Sequence, residues 1–127
     1  MRYLGIDFGL RRIGLATSEY GQLASPWQVL EVSSLKDALE KVKKVIAQNE
    51  SDKIVVGLPE GKIGKTVLGF IKALKKAGFN VEEADETLSS KKAVTQMIEL
   101  KIPKNKRQIS DDYSAAIILQ NYLDINS

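Results

Sequence analysis

Apolar positions alternate or gather in short runs as far as Glu31, and from Leu35 onward they recur largely at helical spacing. Residues 2–8 read as a first strand. In it Leu4, Ile6 and Phe8 point to one face, and Tyr3, Gly5 and Asp7 to the other. Arg12 to Ser18 reads as a second strand, joined to the first by the turn Gly9-Leu10-Arg11. Leu23 to Glu31 reads as a third, with Pro26 marking an edge or a bulge. Leu35, Ala38, Leu39, Val42, Val45 and Ile46 then give a helix, and Ser34 with Asp37 three residues later forms a capping-box start. Lys53 to Leu58 is almost wholly apolar, as expected of a strand buried on both faces, and Pro59-Glu60-Gly61 ends it. Thr66 to Ala77 reads as a second helix closed by Gly78, and Asn80 to Ala84 as a fifth strand. Ser89 caps a third helix with inner face Ala93, Val94, Met97 and Ile98. A basic loop, Lys101 to Gln108, leads to Ser110, which caps a last helix carrying Ala115, Ala116, Ile118, Leu119 and Tyr122.

The order βββαβαβαα predicts an α/β fold. A five-stranded mixed sheet, an antiparallel meander followed by βαβα, carries helices on both faces with right-handed crossovers. The chain of 127 residues is long enough for one domain, 1–127, with one real core. No apolar run approaches the ~20 residues needed to span a bilayer. No signal-peptide layout precedes the first strand, so no membrane partner and a cytoplasmic location are expected.

Two absences narrow the chemistry. Without cysteine there are no disulfides, thiolate nucleophiles or thiolate metal sites, and without histidine there is no Ser-His-Asp machinery or His-ligated zinc. Water must then be activated by carboxylates, lysine, tyrosine or a hard metal ion. The net charge of +3 and pI of about 9.1 suit a polyanionic partner.

The acids fall at three stations. Asp7 stands in the middle of an apolar strand, where aspartate is depleted and a buried carboxylate is costly unless paired. Gly5 and Gly9 keep the space around it open. A structural salt bridge to Arg11 or Arg12 is the alternative reading of Asp7, and a weaker one than the alternatives at the other two stations. Asp85-Glu86 follow the fifth strand, at the carboxyl end where ligands gather in open α/β sheets. Asp111-Asp112 open the last helix, where acids complement the helix dipole, and that role suffices for Asp111. Asp112 precedes Ala115-Ala116, small residues that let the helix approach the sheet and bring its carboxylate toward Asp7. Three converging carboxylates without histidine suit a hard divalent ion, Mg²⁺ or Mn²⁺. Two such ions about 4 Å apart bind the attacking water and the leaving oxygen of a phosphodiester.

Basic residues form two clusters, Arg11-Arg12 and Lys101, Lys104, Lys106 and Arg107, each adjoining an acidic station. Neither is interleaved with aromatics, so contact with the nucleic-acid backbone is expected rather than stacking on bases. Gly64-Lys65-Thr66 imitates the end of a phosphate loop, but the glycine that should open the motif is Pro59.

These segments resemble the YqgF-type family, described both as Holliday-junction resolvases and as pre-16S rRNA nucleases. LGIDFGLRRIGLATS is similar to the family's first motif, ASPWQVL to its third strand, IVVGLP to its fourth, DETLSS to its DERLT-type motif and DDYSAAIILQNYL to its terminal D-x-x-A-A helix. The resemblance runs nearly end to end. It implies an RNase H-like fold and a divalent-metal nuclease whose catalytic, metal-holding acids are Asp7, Glu86 and Asp112, with Asp85 as a further metal contact. Two departures stand out. Thr87 occupies the place of the family's arginine, and EGKIGKT replaces an N-x-D-G-type loop after Pro59, where Lys62 or Lys65 would restore positive charge. The expected nucleic-acid contacts are therefore Arg11, Arg12, Lys62, Lys65, Lys104, Lys106 and Arg107.

The leading expectation is a Mg²⁺- or Mn²⁺-dependent endonuclease that holds two ions and trims the 5′ end of pre-16S rRNA, with ribosomal precursor particles as partners. The alternatives are a homodimeric resolvase of branched DNA and a non-catalytic ribosome-assembly factor. An ATP-binding domain of the actin or sugar-kinase type needs two domains and does not fit the length.

Overall fold

The computed structural model describes residues 1–59, 61–85 and 110–126. Five strands, β1 (Tyr3–Phe8), β2 (Arg12–Ser18), β3 (Ser25–Glu31), β4 (Lys53–Leu58) and β5 (Val81–Asp85), form one sheet in the order β3-β2-β1-β4-β5. β1 pairs antiparallel with β2 and β2 with β3, whereas β4 runs parallel to β1 and β5 parallel to β4. The expected meander followed by parallel crossovers is thus the observed topology. The helices are α1 (Leu35–Asn49), α2 (Ile63–Lys76) and α3 (Asp111–Ile125). The helix expected after Ser89 and the basic loop before Ser110 lie outside the described residues.

Alternation along each strand divides the core between two layers. Leu4, Ile6, Phe8, Ile13, Leu15, Ile54 and Val56 face α1 and α2, meeting Val42, Val67, Phe70 and Leu74. Ala16 and Val55 face α3 and meet Ala115, Ile118 and Leu119. Neighbouring residues of β4 therefore enter different layers, which accounts for its unbroken apolar run. On the α3 face an added Cβ at Gly5 would stand 2.7 Å from Leu119 Cβ and 3.0 Å from Ala115 O. Gly5 is accordingly not open space beside Asp7, as its position in the sequence suggests; α3 fills it.

Element ends depart from the hydrophobic pattern where hydrogen bonds redirect the backbone. β3 starts at Ser25 rather than Leu23, because the Ala24 N–H donates to Gln120 Oε1 of α3 at 2.9 Å instead of to the ladder. As Pro26 foretold, β3 is an edge strand, and the register shifts between Leu15 and Ala16 opposite it. α2 begins at Ile63, three residues before the expected Thr66. Gly64 N–H donates to Gly61 O at 3.1 Å and Lys65 N–H to Lys62 O at 3.3 Å, making a first turn despite the low helix propensity of glycine. Gly64-Lys65-Thr66 is thus helix and not phosphate loop. α1 keeps its expected start: Ser34 Oγ accepts from Asp37 N–H at 3.1 Å, and Asp37 Oδ2 accepts from Ser33 N–H at 2.9 Å. These contacts, led by the Ser33 backbone bond, hold the Asp37 carboxyl below its ordinary value. Ser110 occupies the N-cap of α3 but makes no side-chain cap bond, contrary to the reading of the sequence.

Candidate active site

Because β1, β4 and β5 are parallel, their carboxyl ends share one end of the sheet. Asp7 lies there as the penultimate residue of β1, and Asp85 ends β5, opposite Leu58 of β4. Asp7 is half-buried and stands on the α3 face with Gly5. Its register partner across the β1–β2 hairpin is Gly14. At Gly14 an added Cβ would meet Asp111 O at 1.9 Å and Asp112 N at 2.7 Å. The first turn of α3 therefore rests on bare backbone beside Asp7, and the missing Cβ is what permits the approach. The hairpin thus brings the Asp112 turn to the strand neighbour of Asp7, residues more than a hundred apart in sequence.

A second contact holds that turn. Arg12 Nε lies 3.3 Å from Asp111 Oδ2, so the arginine expected to serve Asp7 or a phosphate is engaged by the first residue of α3. Arg11, also exposed, borders a cleft of about 700 Å³ lined by Leu10, Arg11, Arg12, Glu31, Val32 and Ser33. Lys62 and Lys65 are exposed at the start of α2, after β4 and so at the same end of the sheet. Glu86, Lys104, Lys106 and Arg107 lie outside the described residues, as does the side chain of Asp85.

Asp7 and Asp112 offer oxygen donors alone, and the glycine beside them leaves room for the helix that carries one of them. Such a donor set fits a hard divalent cation. Among the described residues no group of three acids is gathered.

The sequence reading missed a polar network at the opposite, amino-terminal end of β4 and β5. The Tyr122 hydroxyl donates to Glu82 Oε2, and Lys53 Nζ lies 3.1 Å from Glu82 Oε1 and 3.3 Å from the Tyr122 oxygen. Hydrogen bonds from Tyr122 and then Lys53 hold the Glu82 carboxyl below its ordinary value, and Glu82 in turn raises Lys53. Burial, followed by the bond to Glu82, raises Tyr122. Nothing in the spacing of the short fifth strand, where Glu82 and Glu83 are adjacent, pointed to this network. Gln120 adds a third attachment, accepting from Ala24 N–H and donating to Gln22 O at 3.0 Å. Polar contacts at its first residue and along its C-terminal part thus fix α3 across the sheet.

Residues 1–125 match the family model described as RuvX: Holliday junction resolvase. The chain is 38% identical over 136 aligned residues to a "Putative pre-16S rRNA nuclease" of Endomicrobium trichonymphae, covering 99% of this chain and 97% of that one. A relative of the same description from Natranaerobius thermophilus is 35% identical, covering 98% and 94%. Among solved structures, T. thermophilus RuvC in complex with a Holliday junction superposes with a TM-score of 0.64 at 15% identity, covering 99% of this chain and 95% of that one. The yeast mitochondrial Holliday junction resolvase Ydc2 gives 0.62 at 12%, covering 95% and 78%. The structural likeness carries the RNase H-like fold, and the sequence likeness carries kinship along nearly the whole length. The chain belongs to the RuvX family.

Proposed function

We propose that this protein is a divalent-metal-dependent endonuclease that hydrolyses phosphodiester bonds in structured nucleic acid, processing the 5′ end of pre-16S rRNA in the cytoplasm. The supporting observation is the seating of the Asp112 turn on Gly14, the strand partner of Asp7. The relatives' description as pre-16S rRNA nucleases supports the substrate. Asp7 and Asp112 are the metal-holding carboxylates, and Glu86 completes the set, with Asp85 as a further contact. Mg²⁺ or Mn²⁺, as a pair, supplies activation of water and neutralisation of charge on the leaving oxygen. With no histidine in the chain, no imidazole is present to act as base.

The protein's own contribution is placement. The β1 ladder fixes Asp7, the contacts of α3 fix Asp112, and Arg11, Lys62 and Lys65 attract the phosphate backbone toward that end of the sheet. Lys104, Lys106 and Arg107 are assigned the same part. Labelled precursor RNA incubated with Mg²⁺ or Mn²⁺ should be cut by the wild type, and Asp7→Asn should lower the rate at least about a hundredfold, as loss of a principal charge-stabilising group does elsewhere. Undiminished cleavage by Asp7→Asn removes the assignment.

The family description and the resolvases that share the fold favour a second reading, a homodimer cutting branched DNA. A four-way junction needs two active sites, so this reading requires a dimer at micromolar concentration and cutting of synthetic junctions in preference to precursor RNA. Salt-sensitive RNA binding indifferent to Mg²⁺ and to Asp7→Asn would instead identify a non-catalytic assembly factor.

A further inference from the structure

We infer that Arg12 is a positioning residue for the carboxylate pair, not a contact for the nucleic-acid backbone; this rests on the reading of Asp7 and Asp112 as metal-holding groups. Arg12 opens β2, and Asp111, which opens α3, lies 3.3 Å from its Nε. Two residues along β2, Gly14 touches the backbone of Asp111 and Asp112, and Gly14 is the register partner of Asp7. The ion pair and the missing Cβ therefore act on one turn of one helix, and that turn carries Asp112. Ser110 contributes no side-chain bond to the helix start, so this turn has no anchor from its own cap. Both arginines are exposed and line the cleft, but the Arg12 charge is balanced by Asp111, which makes Arg11 the better phosphate contact of the two.

The two assignments of Arg12 separate experimentally. Arg12→Met keeps the aliphatic stem and removes the charge, and Asp111→Asn removes the partner. The pair is largely exposed, with side chains 66% and 35% accessible, so both variants should melt close to the wild type. Mn²⁺ binding to the full chain, read from the electron paramagnetic resonance of the free ion, should weaken about tenfold in each, the range found when a group that orients a metal ligand is lost. kcat on precursor RNA should fall similarly, with KM and its salt dependence unchanged. The double variant should be no worse than either single one, and the exchange Arg12→Asp with Asp111→Arg should recover most of the metal affinity.

The inference is overturned if Arg12→Met raises KM and lowers the salt slope by about one while Mn²⁺ binding is untouched, the signature of a phosphate contact. It is equally overturned if Asp111→Asn binds Mn²⁺ as the wild type does. Asp7→Asn in the same assays keeps the two readings apart. If it retains metal and cleavage, the carboxylate assignment itself fails. If it loses both while the Arg12 and Asp111 variants behave normally, only the positioning role fails.

Discussion

At the scale of single residues, the site depends on atoms that are missing. Gly14 and Gly5 leave the α3 face of β1 and β2 without side chains where the helix comes down, and any Cβ there collides with the helix. Gly14→Ala meets backbone rather than a side chain that could rotate away, so the first turn of α3 has to lift. A destabilisation of about 1–3 kcal/mol is expected from such overpacking, read as a lower midpoint in urea at unchanged slope. Cleavage should fall further than the lost stability explains, since the displaced turn holds Asp112. Asp7 was legible in the sequence because a carboxylate in an apolar strand is anomalous by itself. Gly14 was not, because nothing in RIGLATS says which glycine a distant helix will touch.

At the scale of elements, two helices that both start after a serine are capped differently. Ser34 of α1 accepts from Asp37 N–H, and Asp37 returns the favour to Ser33, whereas Ser110 of α3 makes no cap bond. Ser34→Ala should therefore cost about 1 kcal/mol and Ser110→Ala only a few tenths, compared by chemical denaturation. The sequence signals differed too: Asp37 stands three residues after Ser34, whereas Tyr113 stands three after Ser110. α3 is instead secured from outside, by Arg12, Gln120 and Tyr122. Helix α2 teaches the converse: glycines made Gly61 to Lys65 read as loop, yet buried Val67, Phe70, Ile71 and Leu74 hold a helix that begins before Thr66. Periodicity located every described element, while hydrogen bonds, from Gln120 at β3 and within the first turn at α2, moved the ends.

At the scale of the whole molecule, stability should depend on pH at both extremes through the Lys53–Glu82–Tyr122 network. The Glu82 carboxyl sits below its ordinary 4.5, so its contribution is present above that value and is lost as acid protonates it in the folded state. Tyr122 and Lys53 sit above their ordinary 10.0 and 10.5, so their contribution is present below those values and is lost as pH rises through the folded ones. Melting temperature followed against pH should fall on both sides of a neutral plateau. Glu82→Gln should flatten the acid limb only in part, because Asp37 is also held below its ordinary value. The fold class was legible at this scale because the changes of hydrophobic period give the order of strands and helices along the chain. The network was not, since Lys53, Glu82 and Tyr122 lie on three separate elements whose faces meet only after the sheet has formed.

The contribution of Asp112 from α3 also bears on synthesis. Strands β1 and β2, with Asp7, are made before the helix that covers their glycine-lined face, which starts more than ninety residues after β2 ends. Until that helix emerges, a nascent chain has one carboxylate of the pair and lacks the other. On the proposed reading of Asp7 and Asp112, cleavage therefore has to wait until α3 has closed over the sheet.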